Sequence, residues 1–145
     1  MSKGRFVWFD AVTPDVAKSV AFYTKLFGWT ASKEKFGEME YEIFSAGKVQ
    51  VGGAMKPPMD NVPPHWLSYL AVDDVDATVK YNESRGGQTF VPPFEIPKIG
   101  RTAILGDPQG AGFAPFKGMQ EMPPPAVPAP GTFAWTELMA KDIEA

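Results

Sequence analysis

Histidine and cysteine, the residue types that most often bind metals or act as nucleophiles, are scarce in this sequence. The 145 residues include one histidine, His65, and no cysteine. One imidazole excludes a two-histidine metal site within one chain, and the lack of thiols excludes thiolate nucleophiles and cysteine-ligated zinc. His65 follows two prolines, where a lone imidazole is more often a surface or capping residue than a ligand. We therefore expect no metal and no cofactor, with His65 as the one residue that could contribute a metal ligand.

The other candidates for chemistry are aromatic and acidic side chains on predicted strands. Strand alternation in RFVWFDAV places Trp8 and Asp10 on one face, and an inward-facing acid needs a partner such as Arg101 or a ligand amine. A wall of aromatic rings with a few polar groups suits a small planar or apolar ligand, whereas the alternative is that these rings only fill the core. The candidate ligand-binding residues are Trp8, Asp10, Tyr41, Leu67, Tyr69, Arg101 and Ala114.

Two stretches of the chain predict the same order of elements, β-α-β-β-β. The first helix is expected to begin at Thr13-Pro14-Asp15, with Thr13 as the N-cap, and to end at Gly28. The second helix is expected to begin at Asp73 or Asp74 and to end at Gly86-Gly87. A repeated unit that cannot bury its own face argues for two units that share a core. The expected fold is α+β, with a cupped mixed sheet of about eight strands and helices outside.

Proline-rich segments divide the chain. We expect a first βαβββ unit at 1–56, a linker at 57–64, a second unit at 65–117, a second linker at 118–131 and a tail strand at 132–145. The tail resembles the amino terminus, with Phe133 on Phe6 and Trp135 on Trp8. A lone strand must pair with this sheet or with another chain, or it stays unfolded.

The segments FYTKLFGW and DPQGAGF, together with the β-α-β-β-β duplication, resemble the vicinal oxygen chelate superfamily. This superfamily contains glyoxalase I, bleomycin-resistance proteins, fosfomycin-resistance enzymes and extradiol dioxygenases. The pattern is especially similar to the first half of tandem glyoxalase-like proteins of bacteria. The resemblance covers about residues 5–117.

The resemblance implies a divalent metal held by the first and last strands of each unit, but this sequence departs from that pattern. The implied ligand positions carry Trp8, Leu67 and Ala114, and the fourth falls in the range 53–55, which has no carboxylate. Indole, isobutyl and methyl groups donate nothing to Mg²⁺, Mn²⁺, Fe²⁺ or Zn²⁺. The resemblance therefore favours the fold and leaves it open whether the protein is an enzyme.

Composition narrows the function classes further. Apolar residues make up 44% and charged residues 21%, which is enough for an ordinary core. A net charge of -3 disfavours nucleic-acid binding, and no apolar run approaches the roughly 18 residues of a membrane span, so we expect a cytoplasmic protein.

Three functions stay open on this evidence. The first is a metal-independent glyoxalase/bleomycin-resistance-like module that binds a small organic molecule between its two units. The second is a lyase, isomerase or dioxygenase of the superfamily with an atypical or dimer-assembled metal site. The third is a non-catalytic dimerisation or scaffolding module. A homodimer, with the strand 132–145 exchanged between subunits, is the expected assembly.

Overall fold

A computed structural model describes residues 4–120 and 128–143 of the chain. The described residues form eight strands and two helices in the order β-α-β-β-β, twice over. The elements are β1 (Phe6–Val12), α1 (Val16–Phe27), β2 (Thr30–Phe36), β3 (Met39–Ala46), β4 (Val49–Met55), β5 (His65–Ala71), α2 (Val75–Ser84), β6 (Gln88–Ile96), β7 (Gly100–Gly106) and β8 (Gly112–Gly118).

Hydrogen bonds order the strands β2-β3-β4-β1-β5-β8-β7-β6 in one mixed sheet. The first strand of each repeat pairs in parallel with the last, β1 with β4 and β5 with β8. The hairpin pairs β2–β3, β3–β4, β6–β7 and β7–β8 are antiparallel. The expected α+β class, with two βαβββ repeats and eight strands, is confirmed.

The chain packs as two compact units. Of the described residues, the first unit comprises 8–67 and 128–134, and the second comprises 4–7, 68–120 and 135–143. Each unit therefore holds most of one repeat together with a segment from elsewhere in the chain. Neither described helix has the length and apolarity needed to cross a bilayer.

Helix α1 covers one face of the first unit's strands. Asp15 is its N-cap, because the Asp15 carboxylate accepts a hydrogen bond from the Lys18 backbone N–H at 3.0 Å. The predicted N-cap, Thr13, lies two residues earlier, where its hydroxyl accepts from the Asp15 backbone N–H at 3.3 Å. Gly28 ends the helix with a φ of 68°, a left-handed conformation that favours glycine.

The apolar face of α1 packs onto the core of this unit. The core consists of Ala11, Trp29, Phe44, Val51 and Ala54, with Val16, Val20 and Tyr23 packed against it. These three residues follow the spacing i, i+4, i+7, which is the apolar face typical of an amphipathic helix.

Helix α2 repeats this arrangement in the second unit. Asp74 caps it by accepting from the Ala77 N–H at 2.9 Å, as one of the two predicted alternatives. Val75 and Val79 are buried against Ala103 and Leu105. Val75 and Val79 are four residues apart, so they lie on the same side of α2 and form its contact with the sheet.

The tail differs from the expected strand. The described residues 128–143 contain turns and bends but no strand. Part of the predicted linker 118–131 lies outside the described residues, namely 121–127. Side chains take the place of a ladder: the Trp29 indole donates to the Gly131 carbonyl at 2.7 Å. The Gln109 amide donates to the Asp142 carbonyl at 2.6 Å and accepts from its N–H at 3.1 Å. Backbone groups satisfied in this way no longer favour strand pairing.

Candidate functional site

Three side chains of the first unit form a hydrogen-bonded cluster on the sheet face opposite α1. The Trp8 indole N–H lies 3.0 Å from Asp10 Oδ1 and 2.6 Å from the Tyr41 hydroxyl oxygen. The Tyr41 hydroxyl donates to the same Asp10 oxygen. We call these three residues the Trp–Asp–Tyr cluster. Its carboxylate is almost fully buried, with Asp10 2% exposed.

Strand alternation explains why Trp8 and Asp10 meet. On β1, Ala11 points into the core beneath α1, so Trp8 and Asp10 point to the opposite face. The shared face predicted for these two residues is therefore present. Their direct indole–carboxylate bond makes Trp8 one of the polar partners that a buried acid needs.

Tyr41 reaches the cluster across an intervening strand. It lies on β3, whereas Asp10 on β1 is opposite Gly53 on β4. A Cβ built on Gly53 would lie 2.0 Å from the Tyr41 hydroxyl oxygen and 2.2 Å from ring atom Cζ. The missing side chain at position 53 is thus what lets the phenol cross β4. The space beside Gly53 is therefore occupied by Tyr41 of the same chain.

An additional aromatic ring stands beside the cluster, and the sequence did not point to it. Phe36 of β2 packs edge-on against Tyr41, with ring centroids 5.6 Å apart. Tyr41 lies opposite Glu34, and Phe36 is two positions further along β2. Such diagonal pairs become visible only when the hairpin register is known.

The predicted residues of the second repeat are buried. Tyr69 and Ala114 are register partners in the parallel pair β5–β8, and they are 8% and 0% exposed. The Tyr69 ring packs edge-on against Phe116 at 6.2 Å. Leu67, which packs with the first unit, is 1% exposed. Ligand binding by these three residues remains a prediction.

Arg101 takes a different place from the one that its predicted site role requires. It has the same strand parity as Ala103 and Leu105, which pack beneath α2. Its guanidinium bonds both oxygens of Asp76 on α2, at 2.7 and 2.9 Å, and Glu95 at 3.0 Å. Arg101 therefore ties a helix to the sheet. The sequence allowed Arg101 or a ligand amine as the partner of Asp10, and the structure pairs Arg101 with Asp76 and Glu95 instead, while its part in ligand binding remains a prediction.

This ion pair shifts the pKa of both partners in the direction that favours their charged forms. Hydrogen bonding from Arg101 lowers the pKa of Asp76 below its ordinary value. The same bond to Asp76, followed by the bond to Glu95, raises the pKa of Arg101. Both groups are accessible to solvent, so the pair acts as a surface tether rather than as a reactive site.

The single histidine is exposed at the start of β5. Its Nδ1 lies 2.8 Å from the carbonyl oxygen of Pro63, two residues earlier in the chain. This contact fixes the ring on its own backbone. Within residues 4–120 and 128–143, no group of three or more histidine, cysteine, aspartate or glutamate side chains is arranged to hold a metal ion.

Family membership follows from the sequence match over the duplicated elements. Residues 5–114 match the Glyoxalase/Bleomycin resistance protein/Dioxygenase superfamily, and this range spans most of both repeats. The chain belongs to this superfamily. The resemblance seen in FYTKLFGW and DPQGAGF is thereby confirmed.

The curated relatives that the chain matches are longer than the chain. A Mycobacterium bovis protein named as a glyoxylase, CFP32, is 43% identical over 115 residues, which cover 79% of this chain and 44% of that protein. The anthracycline biosynthesis protein DauV of Streptomyces sp. strain C5 is 35% identical over 156 residues, covering 97% of this chain and 56% of DauV. The chain therefore spans about half the length of these relatives.

Solved structures of the superfamily share the fold at low sequence identity. A Streptomyces coelicolor methylmalonyl-CoA epimerase variant is similar with a TM-score of 0.60 at 15% identity, covering 85% of this chain and all of that one. The Mn(II)-bound glyoxalase from Novosphingobium aromaticivorans gives 0.51 at 20% identity, covering 79% of this chain and 38% of that one. These similarities establish the fold alone.

The metal implied by superfamily membership does not fit the residues of this chain. At the implied first-strand position Trp8 presents an indole N–H, which is a donor and cannot coordinate a cation. The carboxylate nearest to it, Asp10, accepts both the Trp8 and Tyr41 hydrogen bonds on one oxygen. Leu67 and Ala114 at two further positions carry no ligand atom.

Proposed function

We propose that this chain binds a small, planar organic molecule at the Trp–Asp–Tyr cluster without the help of a metal ion. The observation that carries the proposal is the buried Asp10 carboxylate, which accepts from both Trp8 and Tyr41 on the sheet face that α1 leaves uncovered. Burying a carboxylate is costly unless donors compensate it. A hydrophobic residue at position 10 would avoid that cost, so a fixed acid at this place favours a functional role.

The cluster fixes the orientation of an aromatic surface. Trp8 is half-buried, and its indole N–H is shared between Asp10 and Tyr41. Phe36 extends the aromatic wall beside Tyr41. In this arrangement Trp8 is the residue that contacts the ligand, and Asp10 and Tyr41 are positioning residues that hold the indole plane. A planar molecule would stack on that plane.

The names of two relatives are compatible with such a ligand. DauV is named for anthracycline biosynthesis, and anthracyclines are planar polycyclic compounds. The superfamily itself carries bleomycin resistance in its description. Both names concern organic compounds that contain planar aromatic rings, and we use one compound of each class as a probe.

The experiment is a titration of the purified chain with daunorubicin and with bleomycin, first in EDTA and then with added Mn²⁺. We expect saturable binding of at least one probe in EDTA, with no gain on adding Mn²⁺. Trp8→Ala should weaken that binding by about two- to thirteenfold, because an aromatic pair contributes about 0.5–1.5 kcal/mol beyond the area that it buries. The matched control Trp135→Ala, which changes an exposed tail residue of the other unit, should bind as the wild type does.

Two results would contradict this proposal. One is equal affinity of Trp8→Ala and the wild type, because the indole would then not be the contact surface. The other is binding that appears only with Mn²⁺, because the ligand set would then include a metal. In either case Asp10 and Tyr41 would be structural residues of the first unit.

A second candidate is supported by the relative named as a glyoxylase. Its 43% identity to this chain makes a metal-assisted lyase activity worth a direct test. The assay mixes the chain with the hemithioacetal of methylglyoxal and glutathione in the presence of Mn²⁺, Ni²⁺ or Zn²⁺. Turnover that His65→Ala abolishes would favour this function over metal-independent binding.

A further inference from the structure

A cleft of about 430 Å³ lies between the turn that joins β7 to β8 and the tail of the chain. The turn contributes Asp107 and residues 109–111 to its lining, and the tail contributes residues 138–141. We call this space the turn–tail cleft. All of its lining residues belong to the second unit, whereas the Trp–Asp–Tyr cluster belongs to the first. Its volume lies in the range of sites that bind small molecules.

The turn wall of the cleft is closed by its own hydrogen bonds. Asp107 Oδ1 accepts from the backbone N–H groups of Gln109 at 2.9 Å and Ala111 at 2.8 Å. The Gly110 N–H donates to the Asp107 carbonyl at 3.0 Å, and the Asp107 N–H donates to the Ala111 carbonyl at 3.0 Å. A wall that is fixed before binding loses little entropy when a ligand arrives.

The tail wall is held beside the turn by the side chain of Gln109. Its Nε2 donates to the Asp142 carbonyl at 2.6 Å, and its Oε1 accepts from the Asp142 N–H at 3.1 Å. The amide thus takes the part that a peptide group of a neighbouring strand would take. Residues 138–141 directly precede Asp142, so this pair of bonds keeps them at the cleft.

The bonds within the turn decide which chemical groups that wall can offer. The backbone N–H groups of residues 109, 110 and 111 all donate within the turn, so none remains to bind an anion. Both bonds to the Asp107 carboxylate fall on Oδ1, so they leave Oδ2 as an acceptor. The turn wall therefore presents a negative charge, which suits a cationic donor such as an ammonium group.

The tail wall offers a positive charge and an apolar surface. Lys141 is exposed, and Leu138 and Met139 are 64% and 95% exposed. Within residues 4–120 and 128–143 neither Lys141 nor Asp107 takes part in an ion pair. Two opposite charges that line one cleft without pairing leave room for a ligand that carries both charges.

We propose that the turn–tail cleft binds a zwitterionic amino acid with an apolar side chain. The ammonium group of the ligand pairs with Asp107, its carboxylate pairs with Lys141, and its side chain covers Leu138 and Met139. Methionine adapts to apolar groups of different shape, so the site selects apolar amino acids as a class. The proposal does not rest on ligand binding at the Trp–Asp–Tyr cluster, and either one can fail without the other.

The experiment is an amide NMR titration of the isotope-labelled full chain with L-leucine. The signals of residues 109–111 and 138–142 should shift together and saturate, whereas those of Trp8, Asp10 and Tyr41 should not shift. L-leucinamide lacks the ligand carboxylate and isocaproate lacks the ammonium group. Each should bind about fivefold more weakly than L-leucine, the upper end for an exposed ion pair. Glycine, which has no apolar side chain, should also bind more weakly.

The variant Asp107→Asn tests the contact with the ligand ammonium group. Asparagine keeps an oxygen that can accept from residues 109 and 111, so the turn is preserved while the charge is removed. The change should weaken L-leucine binding about fivefold and should not weaken isocaproate binding, because isocaproate has no ammonium group. The matched control Asp60→Asn, at an exposed position outside the cleft, should bind as the wild type does.

The variant Lys141→Gln tests the contact with the ligand carboxylate. It should weaken L-leucine binding about fivefold and should not weaken L-leucinamide binding, because L-leucinamide has no carboxylate. Lys117→Gln changes an exposed lysine outside the cleft and is its matched control.

Each outcome decides the proposal. Saturable shifts at the cleft that both analogues produce only at higher concentration support it. The absence of shifts at residues 109–111 and 138–142 overturns it, and so does equal binding of L-leucine and either analogue, because that charge would then make no contact. Wild-type affinity for L-leucine in both charge variants overturns it as well.

Discussion

Replacing Tyr41 by phenylalanine tests whether the Trp–Asp–Tyr cluster stabilises the first unit. The change removes one hydroxyl, which donates to Asp10 and accepts from the Trp8 indole, and keeps the ring that packs on Phe36. A hydrogen bond to a charged group contributes about 1.5–3 kcal/mol. The Trp8–Asp10 bond at 3.0 Å stays in place, so we expect a loss of about 2 kcal/mol of unfolding free energy.

Urea denaturation gives the measurement, with Tyr81→Phe as the matched control. Tyr81 is 62% exposed, and its hydroxyl accepts from Arg85 at 2.9 Å, so losing that hydroxyl should cost less than about 0.5 kcal/mol. With a slope of about 2 kcal/mol per molar urea, Tyr41→Phe should lower the midpoint by about 1 M. Equal midpoints for the two variants would refute the reasoning, because the buried carboxylate would then not depend on the phenol.

Three further predictions concern the strands, the helix cap and the surface ion pair. Gly53→Ala should lower the unfolding free energy, measured by urea denaturation, by about 1–3 kcal/mol, because its Cβ would collide with Tyr41. In the control Gly112→Ala the Cβ meets only a carbonyl oxygen at 4.0 Å, so the unfolding free energy should change by less than about 0.5 kcal/mol. Equal losses in the two variants would contradict the crossing of β4 by Tyr41. Asp74→Ala should lower the unfolding free energy by about 1 kcal/mol through loss of the α2 cap, and an unchanged midpoint would show that the cap is dispensable. Arg101→Gln should raise the pKa of Asp76 toward 3.8, as measured by NMR titration. Because the pKa of Asp76 is lower in the folded than in the unfolded protein, the ion pair stabilises the fold at pH values above 3.8. This stabilisation is lost as the pH falls through the folded-state pKa. An unshifted Asp76 titration in the variant would contradict this assignment.

Local patterns in the sequence were enough to predict the helices and the duplication. The apolar spacing and the capping acids lie close together in the chain, so α1 and α2 follow from neighbours within four residues. The shared face of Trp8 and Asp10 likewise follows from alternation within one strand. Each of these predictions depends only on local geometry.

The contacts of Arg101 show where alternation stops being informative. Along β7 both faces are covered, with Thr102 at 1% exposure and Ala103 at 0%. When a strand is buried on both faces, apolar and small residues occur at every position, and parity no longer distinguishes the helix side from the other. The choice then depends on the partner, here Asp76 on α2, which lies 25 residues away.

The tail resembles the sequence of β1, but it does not form a strand. Phe133 corresponds in sequence to Phe6, yet the described residues 128–143 form no ladder. A strand is stable only beside a partner with matching register, and that requirement cannot be read from the strand itself. The Gly131 and Asp142 backbones find their partners in the side chains of Trp29 and Gln109 instead.

The superfamily resemblance pointed to one residue of the Trp–Asp–Tyr cluster, Trp8. It could not predict how Asp10 and Tyr41 are arranged around that residue. The resemblance places a metal ligand at position 8, and the structure has an indole there, held by a carboxylate two residues later. The phenol completes the cluster only because position 53 has no side chain. A carboxylate at either position 8 or position 53 would suit a divalent cation, but at position 53 it would displace Tyr41. The cluster therefore needs the indole donor at position 8, where the resemblance places a metal ligand, and a residue without a side chain at position 53, within the range 53–55 where it places the fourth ligand.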